Sequence, residues 1–256
     1  MVITSGGSYR DVANAIRQAI HDGVYPRGSL LPNEDQLAQE LNVNRATVNK
    51  ALRILKGEGL VYVHMGVGTY VHALPPLLRD AAVRHTRAHR ERGGARGSLA
   101  SELAQLGYEL NSANTVSAGQ PPQEVADALG VDADTDSVII RARRMKAEDV
   151  PIQIAISYIP RSIADGTPIA ELDPGVGGIS SRLAELGHAQ VELEENIRVR
   201  PPTPDEARFL RMIPDQWVYE IFHVGWTADD RAVKVTTYVM PTYQWNLRYR
   251  YPADPS

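Results

Sequence analysis

The chain has 256 residues, 43% apolar, 23% charged and 6% aromatic, with no cysteine and a formal net charge of −4. That apolar fraction builds packed cores and excludes general disorder, and no run approaches the roughly 18 apolar residues of a membrane span. Disulfide, cysteine–zinc and iron–sulfur chemistry are excluded as well. The net charge hides an asymmetry, because residues 1–97 hold 13 Lys and Arg against 8 Asp and Glu, whereas 98–256 hold 14 against 23. A basic part and an acidic part suggest that the first meets a polyanion and the second does something else. Residues 1–7 (MVITSGG) have neither the charged nor the apolar region of a secretion signal. A soluble, cytoplasmic protein of two domains is expected.

In chain order, residues 9–22 place Val12, Ile16, Ala19 and Ile20 on one helical face, and Gly23 suits a helix stop. Asn33, with Gln36 three residues on, is a capping box for a short helix that buries Leu37, Ala38 and Leu41. Asn44 caps a third helix whose inner face is Val48, Ala51, Leu52 and Leu55, ended by Gly57 and Gly59. Residues 60–64 and 69–72 read as two short strands joined by Met65–Gly66–Val67–Gly68, whose glycines suit a tight turn.

Helix, helix, turn, helix, hairpin is a winged helix-turn-helix. The third helix turns Arg45, Thr47, Asn49 and Lys50 outward, with no acid between Asn42 and Lys56. Arg and Asn bond guanine and adenine edges in the major groove, Thr touches phosphate or a thymine methyl, and Lys neutralises phosphate. DNA is the expected partner, because an ordinary solvated helix face would usually carry some Glu or Asp.

Residues 9–72 resemble the DNA-binding domain of GntR-type bacterial transcription regulators, most densely in LPNEDQLAQELNVNRATVNKALRILKGEGLVYVHMGVGTYV, 31–71. The resemblance implies that the start of the third helix reads the major groove and the glycine turn of the wing reaches the minor groove. Carried over by position, it implicates Asn44, Arg45, Thr47, Asn49 and Gly66; Asn33, Lys50, His64, Gly68 and Thr69 complete the expected DNA-facing set. Two positions depart from the family pattern. Asp35 stands where many members have arginine, and Asn49 where arginine is common, so an operator unlike the commonest family consensus is expected.

Residues 73–97 hold six Arg, two His and a glycine-rich end, with little apolar patterning after Leu78. They read as an interdomain linker, either a flexible tether or an extra phosphate contact. The expected boundaries are a DNA-binding domain at 1–74, a basic linker at 75–97 and a second domain at 98–256.

From 98 onward helices (99–106, 122–129, 179–186, 204–211) mix with strands (115–118, 138–145, 152–159, 191–199, 218–226, 233–240). Hairpins centre on Glu148–Asp149 and Asp229–Asp230, and antiparallel strands with helices to one side make an α+β domain. The stretch resembles the UTRA effector-binding domain of the HutC branch of GntR regulators in GVDADTDSVIIRARRMKAEDVPIQIAISYIP, GGISSRLAELG, RPPTPDEARFLRM and DRAVKVTTYVMP, in that order. This implies a chorismate-lyase-like fold and a small-molecule effector.

If Asp229–Asp230 is a two-residue turn, Phe222, Val224, Trp226, Val233, Val235 and Val239 share a core face. The opposite face collects Ile221, His223, Gly225, Lys234, Thr236 and Tyr238. The family binds its effector on this part of the sheet, beside an Arg-x-Arg strand that here is Arg141 and Arg143. Many members carry Glu where this chain has Lys234, so sugar-hydroxyl recognition does not carry over. Three cations with Ser157 and Thr236 favour an anionic ligand. At the first hairpin a tight turn aligns Arg141 with Ile156 and a longer register aligns it with Ser157; Pro151, which cannot donate to a ladder, favours the latter. Gly178 and Ser180, at a helix start, either bind an anion or form an ordinary glycine turn.

Asp132, Asp134 and Asp136 open like a calcium loop, but Ser137 and Arg143 stand where glycine and glutamate are needed. No metal-ligand spacing, Walker loop, G-x-G-x-x-G or G-x-S-x-G occurs. No metal and no cofactor is expected, and no acid–base pair suggests an enzyme. The expected function is a homodimeric regulator, most readily a repressor, on a two-fold symmetric operator, associated with the nucleoid when on DNA and modulated by a small anion. One winged helix alone makes too few contacts for a strong specificity ratio. The rivals are a second domain that only dimerises and a lyase-like enzyme.

Overall fold

Alternating runs of 3.6 and 2 residue periodicity divide the chain into two architectures. A computed structural model describes residues 7–64 and 66–253. Its first unit comprises residues up to Leu77 together with Ile213–Gln216; its second comprises Leu78–Met212 and Trp217–Ser256.

In the first unit, α1 (Tyr9–His21), α2 (Glu34–Glu40) and α3 (Arg45–Gly57) precede β1 (Val61–His64) and β2 (Gly68–Val71). The core is the predicted one. Val12, Ile16 and Ile20 of α1 meet Leu37, Leu41 and the Val48, Ala51, Leu52 and Leu55 stripe of α3. Truncating one such leucine to alanine costs about 2–5 kcal/mol. Asn33 accepts from the Gln36 backbone N–H at 2.9 Å while the Gln36 side chain accepts from the Asn33 N–H, so the expected capping box is present. The strands pair antiparallel, His64 against Gly68. Of the expected turn, Met65 lies outside the described residues; Gly66 takes φ +78°, a conformation that glycine adopts without strain.

The second unit is a six-stranded antiparallel sheet in the order β4-β5-β6-β9-β8-β7. Its strands are β4 (Leu110–Gly119), β5 (Val138–Ala147), β6 (Val150–Pro160), β7 (Glu192–Arg200), β8 (Val218–Trp226) and β9 (Ala232–Pro241). One face carries α7 (Gln123–Leu129), packed through Val125 and Leu129 on Val138, Tyr158, Val224 and Val235. The other carries α8 (Arg161–Ala164) and α9 (Gly178–Glu185), through Ile163 and Leu183 on Ile139 and Ile159.

The Arg141↔Ser157 register holds although the turn is tight, Ala147 pairing with Val150. A bulge between Met145 and Lys146 makes both true, because an extra residue on β6, beside Pro151, shifts the ladder by one. In the second hairpin the predicted pairs Gly225↔Lys234, Val224↔Val235 and His223↔Thr236 form, but a bulge between Gly225 and Trp226 intervenes near the turn. It moves one residue to the other face: Val233, expected beside Val235, packs instead with Leu183 on the α9 side.

The expected linker is not a tether. From Leu77 it folds into β3 (Leu77–Asp80), α4 (Ala81–Arg84) and α5 (Arg87–Arg90), followed by α6 (Ser98–Gln105), and β3 pairs with β10 (Trp245–Arg248). Its arginines are anchored: Arg79 is fully buried on Glu195, and Arg84 is buried 3.6 Å from Glu102. Elements of four residues leave no periodicity to read, and buried arginines look like solvated ones in a sequence.

Candidate functional site

Cap geometry sets the first site. The Asn44 side chain accepts from the Thr47 N–H at 2.8 Å and from the Thr47 hydroxyl at 2.9 Å, so Asn44 and Thr47 fix the start of α3. Arg45, Asn49 and Lys50 are exposed one turn apart on its outer face. A cleft of 600 Å³ opens between the N-terminus of α2, the start of α3 and the wing; Asn33, Arg45, His64, Gly66, Gly68 and Thr69 all line it. Asn44, Thr47, Asn49 and Lys50 do not.

Glu34, which sequence reasoning did not single out, braces this surface. Its carboxylate accepts from Arg45 Nε at 2.8 Å and from Asn49 Nδ2 at 2.9 Å. Those two hydrogen bonds hold its pKa below the ordinary carboxylate value. Its partners lie 11 and 15 residues away, beyond any local signal.

The second site is a cavity of 80 Å³ between the β5-β6-β9 face, the α9 N-terminus and the segment 84–99. Arg143, Ser157, Gly178, Ser180, Lys234, Thr236 and Tyr238 line it together with Arg84, Arg90 and Arg96, which sequence reasoning placed in a linker. Ser157 and Thr236 hydroxyls lie 2.9 Å apart across neighbouring strands, and Lys234 Nζ donates to Ser180 Oγ at 3.0 Å. Gly178 has φ +65°, and a Cβ there would come 3.2 Å from the Arg96 carbonyl, so this side of the cavity closes only on a glycine.

Two expected residues are not brought to the cavity. Arg141 donates to the carbonyls of Ile169 (2.7 Å), Glu171 and Leu172 (3.0 Å), so it pins a loop on the α9 side. His223 is fully buried, its Nδ1 2.9 Å from Glu195 Oε1 and its ring stacked on His85 at 5.1 Å between centroids. His85, Glu195 and His223 bring ligand-type atoms within 4.8 Å of one another. The Glu195 carboxylate is already engaged by Arg79, by Tyr249 at 2.6 Å and by His223. Burial and the charges of Arg84, Arg79 and Lys234 also push the His85 pKa far down, an environment that repels a cation.

Charge decides what this cavity accepts. Arg84, Arg90, Arg96, Arg143 and Lys234 line it and, among the described residues, no Asp or Glu does. Lys234 is 7% exposed, and burial, followed by the charges of Arg143, Arg90 and Arg84, lowers its pKa to about 7. Arg84 and Arg96 have carboxylates behind the lining, Glu102 at 3.6 Å and Asp173 at 2.8 Å, whereas Arg143 and Lys234 have none among the described ion pairs, and a buried cation so placed costs several kcal/mol unless an anion joins it.

A winged helix with an exposed polar reading helix, followed by an α+β unit holding a polar cavity, defines a ligand-responsive DNA-binding protein. Comparison with known proteins agrees. The model of the gntR family of bacterial regulatory proteins matches residues 8–71, and that of the UTRA domain matches 96–244, more than half of the chain. The chain belongs to the UTRA-containing GntR-family regulators. It is 29% identical over 251 residues to an HTH-type transcriptional regulator of Streptomyces coelicolor, spanning 95% of this chain and 93% of that one. It is 29% identical over 157 residues to the histidine utilization repressor of Pseudomonas putida, 61% of this chain and 58% of the relative. The crystal structure of PhnF from Mycobacterium smegmatis shares the fold with a TM-score of 0.59 at 20% identity, over 95% of this chain and all of that one. GntR regulators bind DNA and UTRA domains bind small-molecule effectors; these are transcriptional regulators and not enzymes. Among the described residues no helix is long and apolar enough to cross a membrane.

Proposed function

We propose that this regulator is a cytoplasmic repressor that binds a two-fold symmetric operator as a homodimer and leaves it when a small anionic metabolite fills the cavity of the second unit. The observation that carries the ligand class is the cavity lining itself, which among the described residues holds five cations and no Asp or Glu, Arg143 and Lys234 being the two with no carboxylate partner. Arg45 and Asn49 supply donors for base edges, and Lys50 supplies a phosphate contact. Asn44 and Thr47 present the first turn of α3, while Asn33, His64, Gly66, Gly68 and Thr69 face the backbone and minor groove around the wing. Arg143, Lys234, Ser157, Thr236, Ser180, the Gly178 backbone and Tyr238 hold the anion.

Coupling follows from chain order, since Arg84, Arg90 and Arg96–Leu99 line the cavity and follow directly in sequence on the first unit. A ligand that pulls on them favours one state of the segment entering the DNA-binding unit, with a reciprocal coupling of roughly 1–3 kcal/mol. The test begins with an operator selected from random duplexes, footprinted on the full chain, with light scattering of the complex. Two half-sites about one helical turn apart, bound by two chains, are expected. A single asymmetric site bound by one chain overturns the dimer, and operator affinity unmoved by every anion tried overturns the release.

A further inference from the structure

The cavity does not end at Ser180. A second chamber of 70 Å³ shares His85, Arg90, Ser98 and Ser180 with it and continues to Gln190 and Leu193. Its lining, like that of the first chamber, holds no Asp or Glu among the described residues. The Gln190 side chain lies directly over Gly225, where any Cβ would coincide with its amide, so the strand leaves room for this donor.

Buried polar atoms without partners show what is missing. They include Arg143 Nε in the first chamber and Gln190 Nε2 in the second, both of them donors. Gln153 Oε1, 2% exposed in residue terms, is an unpartnered acceptor on the first lining, and His85 Nε2, on both linings, is a second unpartnered atom able to accept in the neutral ring. A polyol, whose every hydroxyl also donates, normally needs carboxylate acceptors; here donors dominate and carboxylates are absent.

Resting on the reading of this cavity as the effector site, we infer that its ligand is a compact acid with two or more anionic groups, a polycarboxylate or a phosphorylated acid, and not a sugar phosphate. One anionic group sits among Arg84, Arg143 and Lys234, with the Ser157 and Thr236 hydroxyls; the other reaches past Ser180 to Arg90 and Gln190.

Thermal melting and calorimetric titration of the full chain with citrate, malate, 3-phosphoglycerate, glucose 6-phosphate and inorganic phosphate test this. At least one of the three acids binds ten-fold or more tighter than glucose 6-phosphate, and inorganic phosphate binds weakly. Gln190→Glu, which adds a carboxylate to the second chamber, lowers affinity for that acid at least ten-fold and leaves inorganic phosphate unchanged. Gln190→Leu, with its ligand-free melting as a folding control, lowers it less. Glucose 6-phosphate binding as tightly as the best acid, or Gln190→Glu without effect on that acid, overturns the two-chamber inference while the anion pocket stands. No response to any of the five overturns both.

Discussion

Arg45 on α3 and the pair Arg143 and Lys234 at the second-unit cavity are treated oppositely by their surroundings. Arg45 is 66% exposed in its side chain and already holds a carboxylate, Glu34, with Asp35 at 3.7 Å. Such an exposed pair is worth 0–1 kcal/mol, so DNA can take Arg45 from Glu34 at little cost. Lys234 and Arg143 are enclosed and hold no carboxylate among the described residues. Their desolvation is a standing cost, offset for Lys234 by one hydrogen bond to Ser180, that the proposed anion would recover. The first arrangement keeps a reading surface ordered and exchangeable. On the proposed function, the second holds a desolvation cost that a bound anion relieves, which suits a switch.

The largest expected effect is at the enclosed cations. Arg143→Ala and Lys234→Ala each weaken the acid at least 100-fold in calorimetry, while the affinity for a selected operator stays within about three-fold. Loss of operator binding in either variant would erase the division between the two regions. Next comes Arg45→Ala, expected to cost about 1–3 kcal/mol on the operator and to relax preference at one base pair per half-site, read by competition binding. Unchanged specificity would mean that α3 does not read bases through this arginine.

The third effect is a pH dependence confined to the second region. Burial and the neighbouring arginines lower the Lys234 pKa to about 7, while a bound anion favours the charged form. Above pH 7 binding therefore requires proton uptake, and acid affinity falls by up to ten-fold per pH unit between 7 and 9. Titrations in buffers of different ionisation enthalpy read that proton directly. The smallest effect is Lys50→Ala, which should weaken all sequences alike and lower the salt slope by about one.

Stability itself should be acid-sensitive. Burial lowers the His223 pKa to about 4, although Glu195 partly offsets this. Between pH 6.5 and 4 the unfolded chain binds a proton that the native chain refuses, so stability falls as pH falls through that window. Glu195, held below its ordinary value by His223 and Arg79 against the effect of its burial, adds to the loss below pH 4.5. Denaturant midpoints at pH 7 and 5 report the difference.

What the sequence made legible follows from periodicity and pairing arithmetic. Val48, Ala51, Leu52 and Leu55 could be placed because helix spacing alone decides their face, and Asn33–Gln36 because capping is local. His223↔Thr236 and Gly225↔Lys234 followed from one turn. Both bulges escaped, since an extra residue in a strand has no marker beyond Pro151 in one case and none in the other. Arg141 looked like a cavity residue because alternation puts it on that face. Its guanidinium instead finds three carbonyls of a loop whose path no pattern predicts. Arg84 and Arg90 were hidden for the same reason, in helices of one turn.

The central claim is that the enclosed cations await an anion, and Lys234→Met tests it most directly. Melting of the wild-type chain and this variant, each with and without the best-binding acid, gives four numbers. Without ligand the variant should melt higher, by about 2–4 °C per kcal/mol of relieved desolvation. The acid should raise the wild-type midpoint and leave that of the variant nearly unmoved. A ligand-free variant that melts lower, with an acid-induced rise equal to the wild type's, would show that the protein itself satisfies Lys234 and would contradict the account.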